Sequence, residues 1–242
     1  MSRIGGEFER WGLAWGTSAR VTSILRSMDD RFRGSPLALA VLALLVVGPL
    51  HPYGIQRLLK EWGKDNVVNV GSRANLYKTM KRLHTAGLIS VRQTERDQLY
   101  PERTIYELTD EGRQEVLSWL VERLSSPRNE FPEFPAAISF AMLLGPEAMQ
   151  GALELRAERL EERIRAMETN LETLGKTLPR VTLLDDEYLR AVTSAELAWV
   201  RGVLADLRSG SLAWGEDLAE SARAFVARSS TPGVKGNQAG GE

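Results

Sequence analysis

Apolar and polar positions divide the chain into segments of different period. Residues 37–50, LALAVLALLVVGPL, are apolar on every side and stop at Gly48 and Pro49. They predict a buried core helix over residues 36–47, with Ser35 as N-cap and Pro36 at the first helical position. Residues 52–64, PYGIQRLLKEWGK, put Ile55, Leu58, Leu59 and Trp62 on one stripe and predict a second helix ended by Gly63. Residues 72–86 place Leu76, Met80 and Leu83 in one narrow sector, with Ala74, Lys78, Lys81 and Thr85 opposite. This third helix therefore has a core face and a face open to a partner, and Gly87 supplies its stop. Two β-rich runs, LISVRQTE and RTIYELT, flank the polar residues 96–102 and predict a hairpin with a long tip. Thr109 then caps the helix DEGRQEVLSWLVERL, whose first-turn acids suit the positive end of the helix dipole. Three helices, a hairpin and a further helix in this order predict a winged helix-turn-helix.

The segment SSPRNEFPEFP has three prolines and reads as a linker. Beyond it the pattern is helical. Leu153, Ala157, Leu160, Ile164, Met167, Leu171, Leu174 and Leu178 alternate spacings of four and three, the seam of a coiled coil. We expect this seam to dimerise, since a recognition helix gains affinity from paired half-sites; an intramolecular core stripe is the alternative. A last helix offers Tyr188, Val192, Ala195, Trp199 and Val203 on one side and ends near Gly210. The expected architecture is mainly α: an N-terminal extension (1–35), a winged domain (36–124), a helical dimerisation and ligand-sensing domain (134–226) and a disordered tail (227–242).

Charge sharpens this division. The net charge is only −1, but residues 36–109 carry ten Lys and Arg against six acids, whereas residues 110–242 carry fifteen against twenty-two. A basic module that meets phosphate is thus joined to an acidic one that does something else. Other chemistry finds little support. There is no cysteine, and His51 and His84 have no second ligand at metal spacing, so no cofactor or metal is expected. Adjacent acids such as Glu161–Glu162 and Asp185–Asp186 point about 100° apart on a helix and form no catalytic dyad. Neither a Gly-rich phosphate loop nor a nucleophile elbow occurs, so an enzyme is not expected. No apolar run approaches the ~20 residues of a membrane span, and the N-terminus lacks a signal-peptide pattern, so the expected location is the cytoplasm, away from membranes.

Several stretches resemble the PadR family of transcriptional regulators: LALAVLALLVVGPLHPYGIQRLL, NLYKTMKRLHTAGLI with Tyr77, Leu83, Gly87 and Leu88, and RTIYELTDEGR. FPAAISFAMLLGPEAMQGALELRAERLEERI and YLRAVTSAELAWVRGVLADLRSGSLAW resemble the helical dimerisation domain of one branch of that family. The likeness covers about residues 36–216; the wing tip ERDQLYPER is longer and more acidic than the family pattern, and residues 1–35 lie outside it. The resemblance implies a homodimeric repressor that binds double-stranded DNA at an operator and responds to a small-molecule effector.

On the geometry of a helix in the major groove, Arg73, Ala74, Asn75 and Lys78 are the candidates for base edges. Tyr77, Lys81 and Arg82 are placed for phosphate, and Ser72 caps the helix start near the backbone. Arg92, Arg96 and Arg103 are wing candidates, unless they pair with Glu95, Asp97 and Glu102. Phe140, Met142, Tyr188, Trp199 and Trp214 either line a ligand pocket or pack ordinary helices. Phe8, Trp11, Trp15, Ile24 and Leu25 mark the extension as an amphipathic piece that folds on the body or the other subunit, unless its arginines follow DNA. A helical protein–protein adaptor, with the winged module binding a partner protein, is the competing function.

Overall fold

The computed structural model describes residues 34–97, 100–215 and 220–221, and splits into two compact units, Met1–Asn129 and Glu130–Glu242. Residues 1–33, the tail 227–242 and the side chains of residues 94–103 lie outside what is described, so the expectations for Phe8, Trp11, Trp15, Ile24, Leu25, Arg96 and Arg103 are not addressed.

The first unit contains α1 (Pro36–Val47), α2 (Pro52–Glu61), α3 (Arg73–Thr85), β1 (Ile89–Asp97), β2 (Tyr100–Leu108) and α4 (Asp110–Ser125). Side-chain caps start each helix. Ser35 Oγ accepts from the Ala38 amide at 3.2 Å, and His51 Nδ1 accepts from the Gly54 amide at 3.1 Å. His51 therefore caps α2 from the loop that precedes Pro52. Leu42, Ile55, Leu76, Met80, Leu83, Ile89 and Val116 are almost fully buried and form one core drawn from all four helices and the start of the hairpin. Trp62, expected on the inner stripe of α2, is instead its exposed C-cap, because α2 ends at Glu61 before the stripe returns.

α3 ends in a Schellman motif: Gly87 (φ 73°) donates to His84 O and Leu88 donates to Leu83 O, both at 3.0 Å. Thr109 Oγ1 ties this turn to α4, donating to Gly87 O at 2.8 Å and accepting from the Gly112 amide at 3.0 Å.

The long hairpin tip expected over residues 96–102 is mostly strand. β1 reaches Asp97 and β2 resumes at Tyr100, with Asp97 opposite Tyr100 and register shifts between Val91 and Gln93 and between Glu95 and Asp97. Within this polar segment Asp97 pairs with Tyr100, and a two-stranded edge accepts Pro101. Leu50 adds a third rung to the ribbon through reciprocal 2.9 Å bonds with Tyr106, which fixes the α1–α2 turn on the wing.

The second unit is a helical hairpin of α6 (Pro146–Leu174) and α7 (Leu184–Ser209), preceded by the short α5 (Glu133–Ile138). α5 begins inside the stretch expected to be linker; Pro135 is tolerated in its first turn, and Phe134 is held between the Arg156 guanidinium (3.3 Å from the ring centroid) and the Trp199 ring (6.0 Å, edge-on).

The first part of the α6 seam packs within the chain. Leu153, Ala157 and Leu160 are buried against Leu197, Val200 and Leu204 of the same chain, with Ile164 packed beside them. Arg156–Glu196, Arg190–Glu168, Arg201–Glu161 and Arg208–Glu154 pair across the two helices. Leu153 and Leu160 thus stabilise the hairpin, because a short turn lets α7 fold back and satisfy the stripe locally. Met167, Leu171 and Leu174 are half-buried, and α6 stops before Leu178.

Candidate nucleic-acid interface

The start of α3 is built by its own residues. Gly71 takes a left-handed conformation (φ 63°), Ser72 Oγ accepts from the Asn75 amide at 3.2 Å, and Asn75 Nδ2 donates to Val70 O at 3.2 Å. Leu76, Thr79, Met80 and Leu83 face the core. Ser72, Arg73, Ala74, Asn75, Tyr77, Lys78, Lys81 and Arg82 are all exposed. Three apolar anchors and Thr79 thus clamp one side of α3 while its cations project from the other. The Asn75 side chain is already engaged in bracing the preceding loop, so reading adenine would require it to exchange that bond.

α2 contributes a residue that the sequence reading missed. Tyr53, 58% exposed and stacked on His51 (5.9 Å between centroids), forms a shallow groove with Gln56, Arg73 and Tyr77. Its signal was legible: Tyr53 lies off the Ile55–Leu59 stripe in the first turn of α2, where a helix-turn-helix crosses the DNA backbone.

On the wing, Arg92 lies 3.8 Å from Glu107; both partners are largely exposed, so this pair is weak. The register places Glu95 opposite Arg103 along the backbone.

Among the described residues, the five aromatic and Met pocket candidates are not gathered into one enclosed cavity. Phe140, Met142, Tyr188 and Trp199 are exposed, and Trp214 is half-buried with Nε1 donating to Leu144 O at 2.9 Å. A cleft of about 560 Å³ lies instead at the closed end of the hairpin, lined by Leu171, Leu178, Arg180, Leu183, Glu187 and Arg190. None of the five lines it. Sequence spacing assigns aromatic residues to helices but not to a common cavity. At the cleft mouth Glu187 accepts two bonds from the Arg180 guanidinium (2.9 Å each, Nε and Nη2), which hold its carboxyl below the usual carboxylate range.

A capped, outward-facing basic helix between a supporting helix and a two-stranded wing defines a winged helix-turn-helix protein of the DNA-binding kind. Residues 41–118 match the profile of the Transcriptional regulator PadR-like family. The winged domain belongs to this family of transcriptional regulators. A negative transcriptional regulator PadR from Bacillus subtilis is 30% identical over 132 residues, which span 52% of this chain and 66% of that relative. The fold is shared with solved structures. Bacillus subtilis PadR in complex with operator DNA superposes with a TM-score of 0.59 at 21% identity, covering 72% of this chain and 99% of that one. The same protein with p-coumaric acid gives 0.59 at 21% identity, covering 71% and 98%. A PadR-like transcriptional regulator from Bacillus cereus gives 0.51 at 20% identity, covering 72% and 99%. Among the described residues, no helix is long and apolar enough to cross a membrane.

Proposed function

We propose that this protein is a homodimeric repressor that reads an inverted-repeat operator through α3 and is released from it by a small molecule. The observation that carries the reading is the division of α3 into a buried, mainly apolar face and an exposed face bearing Arg73, Lys78, Lys81 and Arg82. Arg73, Ala74, Asn75 and Lys78 meet base edges; Tyr77, Lys81, Arg82 and Tyr53 meet phosphate; Arg92, Arg96 and Arg103 of the wing add contacts beside the groove.

The dimer face moves from α6 to α7. Tyr188, Val192, Ala195 and Trp199 repeat at alternating spacings of four and three along α7 and are exposed, which is the seam a second copy needs. Two recognition helices about 34 Å apart would then meet successive major grooves. Release by a flat aromatic acid is supported by the relative solved with p-coumaric acid.

The test is selection of genomic fragments by the purified protein, followed by titration of the enriched duplex at several salt concentrations. Enrichment of a two-fold symmetric sequence, bound with steep salt dependence, is the expected result. Salt-insensitive capture of a protein partner with no DNA enrichment would favour the adaptor instead.

A further inference from the structure

α4 carries two apolar stripes. Gly112, Val116 and Trp119 face the core, whereas Leu117, Leu120 and Leu124, spaced by three and four residues, lie on a separate side and are 46%, 37% and 86% exposed. Gly34 is buried against the Trp119 ring, and its carbonyl accepts a bond from Arg123 Nη2, so residue 34 is anchored on α4. Arg123 Nη1 is buried next to this clamp, without a hydrogen-bond partner. The segment leading to Gly34 has the complementary pattern: Val21, Leu25, Met28 and Phe32 recur at spacings of four, three and four. Residues 18–33 hold four arginines and two aspartates, whereas α4 holds four acids and two arginines.

We propose that residues 18–33 dock as an amphipathic strap on the Leu117–Leu120–Leu124 stripe of their own α4, with Val21, Leu25 and Met28 supplying the apolar contacts. The strap covers the exposed leucines, matches the charge of α4, and offers the carboxylates of Asp29 and Asp30 to the vicinity of Arg123. Its effect is to brace the helix whose first turn holds the end of α3.

The chain contains no cysteine, so single substitutions provide clean probes. In the full-length protein, Leu120→Cys and Leu124→Cys should react with a thiol reagent roughly tenfold or more slowly than an exposed control, Glu130→Cys. Adding Leu25→Lys and Met28→Lys should restore fast labelling, with helical content unchanged by circular dichroism. Under mild oxidation, a Leu25→Cys, Leu120→Cys variant should form a disulfide within one chain. Fast labelling in the otherwise unaltered protein, protection that survives the two lysines, or a disulfide linking two chains would each overturn the proposal, the last two by assigning the stripe to another part of the molecule or to a second copy.

Discussion

Single residues decide how close the elements of the winged unit can come. Gly112 is the clearest case, because a Cβ there would sit 2.0 Å from Leu88 O and 2.9 Å from Leu108 Cδ1. Backbone cannot yield as a flexible side chain does, so Gly112→Ala should cost about 2 kcal/mol or more in urea denaturation, despite alanine's better helix propensity. The motif in which Gly112 stands was legible as a helix start; the need for glycine was not, since the crowding atom belongs to a residue 24 positions away. On the exposed face of α3, Lys81→Ala should weaken binding to all duplexes alike and lower the salt slope by about one phosphate contact. Lys78→Ala should instead cost ~1–3 kcal/mol at particular operator positions, read by competition with single-base variants. An equal loss at every position would place Lys78 on phosphate.

Among elements, α6 and α7 show how a correct helix assignment leaves its packing open. The four-three spacing of Leu153, Leu160 and Ile164 was read as a seam for a second subunit, and such a stripe is satisfied equally by any apolar helix. α7 folds back onto it, with Val200 fully buried at the contact. Leu160→Ala should therefore destabilise the second unit by ~2–5 kcal/mol in thermal or denaturant unfolding, rather than merely separate subunits. The proposed seam on α7 behaves oppositely: Val192→Lys with Trp199→Lys should preserve helicity and yield monomers by sedimentation. The Arg180–Glu187 pair near the turn between these helices responds to pH. Because the arginine bonds lower the Glu187 pKa in the folded state, its stabilisation is present above the unfolded carboxylate value, near 4.3, and is lost as pH falls through the folded value. An NMR titration should show the Glu187 carboxyl returning to its ordinary range in Arg180→Gln.

In the molecule as a whole, the basic and acidic portions correspond to different tasks. The basic excess lies before residue 110, where the winged domain is, and the acidic excess lies beyond it. The sequence by itself determined the order of elements, the caps at Ser35, Ser72 and Thr109, and the phase of α3, because periodicity and capping are local and α3 keeps its own core face. It also carried the resemblance to the PadR family, since those motifs are contiguous. Tertiary structure alone decided the long paired wing, the Leu50–Tyr106 rung, the exposed Tyr53 beside Arg73, the glycine required at 112 and the partner of the α6 stripe. Each of these depends on groups distant in sequence, where apolar attraction is non-directional and only packing and backbone pairing select the neighbour.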